Sequence, residues 1–173
     1  MGRYLIVANQ TLGGEELDRA VRDRIERGAG DSRFYILVPM TAPEHEASDR
    51  IYGFAVADEE AWTPEQLDRL SQAIQADERK QEARDAEARM RSEQRLAQMI
   101  EQVQAAGGEA DGEVGDADPV QATRSLLMTQ SFDEVIVSTL PARISRWLKM
   151  DVPSRLSRSI QAPVTTIEAR GKG

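Results

Sequence analysis

The sequence predicts an α/β domain built on a five-stranded, parallel, doubly wound sheet, and three observations predict it. Short apolar runs recur without polar alternation at 4–8, 34–38 and 135–137, the pattern of strands covered on both faces. Between them lie stretches with apolar residues at helical spacing. Cap and turn residues mark the boundaries, so strands and helices alternate along the chain, as in a parallel sheet wound with helices on both sides.

Taken in order, Tyr4-Leu5-Ile6-Val7-Ala8 predicts a central strand. The polar loop Asn9-Gln10-Thr11-Leu12-Gly13-Gly14 follows, and Leu17, Ala20, Val21 and Ile25 then mark a helix stopped by Gly28-Ala29-Gly30. Phe34-Tyr35-Ile36-Leu37-Val38 is a second buried strand, ended by Pro39, which has no amide hydrogen for a ladder. Two parallel strands joined by a helix form a right-handed βαβ unit. Residues 40–62 show no period and are interrupted by Pro43; they predict a loop whose Tyr52, Phe54 and Trp62 pack onto the domain. His45 falls here between Glu44 and Glu46, either as a solvated loop residue or as a member of a cation site.

Thr63-Pro64-Glu65-Gln66 predicts a helix start, with threonine as cap, proline in the first turn and glutamine returning the hydrogen bond. Leu67, Leu70 and Ile74 supply an apolar stripe. From 77 to 95 the apolar residues are alanines and Met90 among alternating charges, so this stretch is expected in solvent. Pairs such as Glu87 with Arg91 stabilise it by about 0.2–0.5 kcal/mol each. Leu96, Met99, Ile100 and Val103 restore an apolar face before Gly107-Gly108. An unbroken helix over 64–106 would be roughly 60 Å long at about 1.5 Å per residue. The expectation is therefore one α/β domain, 1–173, carrying a loop and long helical extension at 40–106. That extension is either a solvated insertion or an interaction arm, and it lacks the sustained a/d seam of a coiled coil.

Residues 110–114 predict an edge strand. In Gly115-Asp116-Ala117-Asp118-Pro119, Asp118 caps and Pro119 opens a helix lined by Val120, Thr123, Leu126 and Leu127. Asp133-Glu134-Val135-Ile136-Val137 is the next strand and stops at Ser138, Thr139 and Pro141. Ile144, Trp147 and Leu148 mark a short helix, Pro153 starts another with Leu156 and Ile160 inside, and residues 163–167 close as a strand.

Composition narrows the function. A formal charge of −8 argues against a nucleic-acid binder, which needs a basic face. The absence of cysteine excludes disulfides, thiolate metal sites and cysteine nucleophiles, and a single histidine excludes any site needing two. No apolar run approaches the roughly 20 residues that span a bilayer. With no basic leader before the first strand, the expected location is the cytoplasm, without membrane partners. No catalytic constellation is visible: Ser138 has no histidine nearby in sequence, so the residues give an enzymatic activity no support and leave it open.

The apolar first strand with its loop Asn9-Gln10-Thr11, the turn 115–119, the strand 133–137 and the closing Ala162-Pro163-Val164 together resemble the universal stress protein family of adenine-nucleotide-binding α/β folds. The resemblance covers 3–39 and 114–167. It implies a homodimer through the C-terminal strand and, in nucleotide-binding members, ATP or AMP held by a Gly-x2-Gly-x9-Gly-Ser/Thr loop after the fourth strand. There glycines bring backbone amides close to phosphates. In this chain Ser138 and Pro141 stand at the first two glycine positions and Met150-Asp151 near the third. Proline offers no amide, methionine adds bulk and aspartate repels phosphate, so the expectation is a divergent member with no ATP cofactor bound in the usual manner.

The candidate pocket comprises Asn9, Thr11, Gly115, Ser138 and Thr139 at the carboxyl edge of the sheet, with Arg143 and Arg146 nearest it, and the resemblance adds Val38 as a ligand position. Arg143, Arg146, Lys149, Arg155 and Arg158, with Asp151 the single acid among them, suit a small anionic ligand or are simply the solvent faces of two short helices. Three functions stay open: a stress-protein-like regulatory or binding domain, a nucleotide or phosphometabolite binder using the arginine cluster, and an interaction module acting through the long charged helix.

Overall fold

The structure, a computed structural model, describes residues 2–8, 14–40, 62–141, 143 and 145–169. The predicted loop aromatics Tyr52 and Phe54, as well as His45, lie outside the described residues. Strands β1 (Gly2–Ala8), β2 (Ser32–Pro39), β3 (Glu109–Gly115), β4 (Glu134–Thr139) and β5 (Val164–Glu168) form one sheet in the order β3-β2-β1-β4-β5, with every pairing parallel. The helices are α1 (Glu15–Arg27), α2 (Pro64–Ala105), α3 (Pro119–Leu127), α4 (Arg146–Lys149) and α5 (Val152–Ser159). The expected doubly wound sheet, with a long helix between its second and third strands, is therefore what forms.

The unalternating runs do what their composition demands. Leu5, Val7, Leu37, Val135 and Val137 face one side and join Val120, Leu126, Trp147, Val152 and Leu156 from α3, α4 and α5. Ile6, Ala8, Ile36, Val38 and Ile136 face the other and meet Leu17 and Val21 of α1 with Met99 and Val103 of α2. Because residues one apart in a strand point to opposite faces, a central strand buried on both sides has no room for polar positions.

The chain divides into two compact units, one of Met1–Thr41 with Arg91–Gly173 and one of Ala42–Met90. Helix α2 passes unbroken from one to the other, which settles its continuity. Its start is the expected capping box: the Thr63 amide donates to Gln66 Oε1 at 2.9 Å, and the Gln66 amide donates to Thr63 Oγ1 at 3.3 Å. In the second unit, Gln72 donates to Asp68 and Gln81 to Asp85, each at 3.1 Å and one turn away, while Leu67 and Ile74 stay exposed. The stretch 77–95 is mostly solvated, with one departure: Ser92 is fully buried. It lies one turn before Leu96 on the stripe that continues through Met99 and Val103. Gly107 ends this segment at φ +98°, a conformation that side chains with a Cβ adopt at a cost.

Asp118 caps α3 by accepting from the amides of Val120 and Gln121 at 2.9 and 3.2 Å. Ala122 rather than Leu127 completes its buried face, and Ile160 ends α5 as its C-cap instead of lying inside it. Each helix turns its face slightly earlier than the spacing of large apolar residues suggests.

At the amino edge of the sheet a carboxylate is locked to a guanidinium. Arg24 of α1 donates to both oxygens of Glu134, at 3.2 Å from Nε and 2.6 Å from Nη2, and Thr165 Oγ1 donates to Oε1 at 2.6 Å. Burial pushes the Glu134 carboxyl up, but the hydrogen bonds from Arg24 and Thr165 and the Arg24 charge outweigh it, so its pKa lies below the ordinary 4.5. The same bond to Glu134 raises the Arg24 pKa further. A folded carboxyl of depressed pKa stabilises the protein above its unfolded pKa and loses that contribution as pH falls through the folded value. Glu134→Gln is therefore expected to cost about 2 kcal/mol at neutral pH, the loss of a charge-assisted hydrogen bond. The gap to the parent should shrink as pH drops below the ordinary carboxylate value, as urea melts at stepped pH would show.

Candidate functional site

The strand order reverses between β1 and β4, because β1 connects onward to β2 on one side and β4 to β5 on the other. In open α/β sheets this reversal opens a crevice at the carboxyl ends of the two strands, where ligands bind. Ala8 pairs with Ser138 at this edge. Asn9 and Thr11, which follow β1, lie outside the described residues.

Ser138 and Thr139 end β4 with almost no exposure. They point to opposite faces by the strand's alternation, and their hydroxyls have different fates. Thr139 Oγ1 and Ser145 Oγ share a hydrogen bond of 2.6 Å between two fully buried residues. Ser145 Oγ also accepts from the Leu148 amide at 3.2 Å and so caps α4, while the Ser145 amide donates to the Pro141 carbonyl at 3.0 Å. The turn after β4 is thus tied to itself, and the Thr139 hydroxyl is used in tying it. Ser138 Oγ has no hydrogen-bond partner among the described residues, although the side chain is 2% exposed. A buried hydroxyl without a partner carries a desolvation cost that a ligand or water can relieve.

The other predicted residues are spread more widely. Val38, 2% exposed, packs with Ile6, Ala8 and Leu17, and β2 stands two strands from β4. Gly115 ends β3, three strands from Ser138, or roughly 14 Å at the usual strand spacing. A Cβ on Gly115 would lie 2.7 Å from Leu37 Cδ1 and 3.0 Å from Ala122 Cβ, so the close seat of α3 on the sheet is enough to explain this glycine. Its carbonyl accepts from the Met40 amide at 3.1 Å. The structure brings together Ser138, Thr139 and the start of the following turn, and it does not bring Val38 or Gly115 to them.

Arg143 and Arg146 are exposed, and their guanidinium groups form no hydrogen bond or ion pair among the described residues, while the Arg146 carbonyl accepts from the Met150 amide at 2.9 Å. Arg158, further along the basic run, pairs with Asp151 at 3.1 Å on the surface. Asp151 adopts φ +55°, the left-handed region, just before α5. It stands close to the third glycine position of the resembled loop, in a conformation that glycine adopts at lower cost. Among the described residues no group of three or more His, Cys, Asp or Glu could hold a metal ion, and no helix is long and apolar enough to cross a membrane.

Sequence reasoning missed Ser145. Its signal was available: a serine immediately before Arg146, three residues ahead of Leu148, is a helix-cap pattern. It also missed two surface grooves. One, of about 480 Å³, lies at the amino edge of the sheet and is lined by residues including Arg3, Tyr35, Asp111 and Phe132. The other, of about 320 Å³, lies between α5 and β5 and includes Ser157, Arg158 and Thr166.

With this geometry in hand, comparison with solved structures identifies the fold as that of the universal stress proteins. A universal stress protein from Archaeoglobus fulgidus matches at a TM-score of 0.52 and 9% identity, over 95% of this chain and 93% of its own. A universal stress protein family protein from Arabidopsis thaliana, with AMP bound, matches at 0.55 and 11%, over 99% and 94%. A universal stress protein in complex with cAMP matches at 0.52 and 13%, over 98% of both chains. No protein-family model and no curated protein matches the sequence.

Proposed function

We propose that this chain is a non-catalytic regulatory or binding module of universal-stress-protein-like fold that does not hold ATP as the glycine-loop members do. The observation that carries the reading is the corner after β4, where Thr139 and Ser145 close on each other at 2.6 Å and Pro141 has no amide to offer. A polyphosphate cradle needs several backbone amides aimed outward at close range, and here the Thr139 hydroxyl and the Ser145 amide are engaged internally. The reading includes a cytoplasmic location and a homodimer through β5, which is an outer strand of the sheet.

A second reading, a small anionic ligand such as a mononucleotide or phosphometabolite, draws support from two observations. Two structural neighbours hold AMP and cAMP, and Arg143 and Arg146 lie exposed just after the crevice. A single phosphate asks for fewer amides than a triphosphate, and guanidinium groups can take their place. Thermal shift of the full chain with ATP, AMP, cAMP and small sugar phosphates separates the readings. A ligand at about a hundred times its Kd stabilises by about 2.7 kcal/mol. The first reading expects no shift with ATP; a shift with AMP or cAMP that Arg143→Ala removes would establish the second.

A further inference from the structure

β3 is an outer strand, and among the described residues its one neighbour in the sheet is β2. The outward row of its main-chain groups therefore has no ladder partner there. An exposed strand edge is a template for another extended chain unless side chains forbid it. The side chains of β3 do not forbid it generally; they select by charge. Glu109, Asp111 and Glu113 alternate onto one face at roughly 6.7 Å intervals and are exposed. Ala110, Gly112 and Val114 take the other face, where Leu96 of α2 approaches Gly112.

This acidic row is only partly neutralised. Arg33 Nε pairs with Glu109 at 3.0 Å, Tyr35 donates its hydroxyl to Glu113 at 2.9 Å, and Asp111 accepts from the Gly112 amide at 2.7 Å. No lysine or arginine pairs with Asp111 or Glu113 among the described residues. Beside the row lies the groove of about 480 Å³, whose lining includes Arg3, Arg33, Tyr35, Glu109, Asp111 and Phe132. The Tyr35 and Phe132 rings sit 6.1 Å apart, and the Arg3 guanidinium lies 5.5 Å over the Phe132 ring. Within the groove the Arg3 guanidinium is thus already held against an aromatic face.

We propose that the open edge of β3 takes an extended basic peptide segment as an added strand, with lysine or arginine side chains at alternate positions facing Glu109, Asp111 and Glu113. Main-chain hydrogen bonds to the edge, apart from the Gly112 amide that the Asp111 carboxylate already holds at 2.7 Å, provide attachment, and alternate side chains provide selectivity, as in other strand-addition complexes. Opposite charges directly across a strand pair are favourable and like charges are not. The same row therefore turns away the β3 of a second copy, whose carboxylates would face these, and favours a partner of opposite sign to this acidic chain.

The test is fluorescence anisotropy of the full chain at low salt with a short labelled peptide alternating lysine with threonine and valine. Saturable binding is expected, with none for the counterpart carrying glutamate in place of lysine. The triple variant Glu109→Gln, Asp111→Asn, Glu113→Gln should bind about tenfold more weakly, given three cross-strand charge pairs, with circular dichroism confirming its fold. Two further peptides, each N-methylated on the alternate amides of one strand edge, probe the backbone on the unaltered protein. One should lose binding and the other keep it. Equal binding of both methylated peptides would reduce the effect to charge attraction and overturn the proposal, as would binding of the glutamate peptide or no binding at all.

Discussion

Trp147→Ala is expected to destabilise the protein by about 3–5 kcal/mol, the range for deleting a large buried aromatic side chain. Trp147 is 8% exposed and belongs to the core formed by Leu5, Val7, Leu37, Val135 and Val137 from the sheet and Val152 and Leu156 from α5. Helix α4 spans only Arg146–Lys149, too short to be stable by its own hydrogen bonds, so it is held in place by this indole and by the Ser145 cap. Removing the ring leaves a cavity under the segment that carries the arginine run. Against a typical total of about 5–15 kcal/mol, the loss should lower the urea midpoint strongly. Trp147→Phe, which keeps a ring in the core, should lie between the two. If Trp147→Ala melts like the parent, α4 is not anchored to the sheet as described.

Gly112→Ala should be nearly as damaging although it adds a single methyl group. A Cβ at this position would collide with the Ile36 carbonyl oxygen of β2 and lie 2.7 Å from Leu96 Cδ1. The leucine can rotate away, but the carbonyl oxygen belongs to the neighbouring strand and cannot move without opening the pairing of Ile36 with Gly112. Overpacking of this kind costs about 1–3 kcal/mol, and a backbone obstacle places the expectation at the upper end. The loss should be local. Hydrogen-exchange protection of β3 should fall while that of β1 and β4 persists, and the peptide binding proposed for the β3 edge should weaken with it.

Elements specified by neighbouring residues were the legible ones. Thr63 and Gln66 are three residues apart and form the capping box their spacing announces, and Asp118 caps the helix that Pro119 opens. The apolar runs of β1, β2 and β4 were legible because burial on both faces leaves an unbroken signature. Interactions set by the assembled sheet were hidden. The bond between Arg24 and Glu134 joins residues 110 apart, and no local pattern marks either as a partner. Gly115 looked like a ligand-loop glycine but is explained by the approach of Leu37 and Ala122. Thr139 looked like a ligand hydroxyl at the end of a strand, and its bond to Ser145 became visible only once the chain had turned back on itself. The groove at the amino edge joins residues from β1, β2, β3 and the approach to β4, so only the strand order could reveal it.

At the corner after β4, Thr139 and Ser145 are bonded to each other, and on this rests the proposal that the chain does not hold ATP as glycine-loop members do. Isothermal titration of the full chain with magnesium ATP tests it most directly. No saturable heat is expected at millimolar nucleotide, with the chain's melting temperature unchanged in the same solution. Stoichiometric binding of ATP, weakened by substitutions at Ser138 or Thr139, would contradict it.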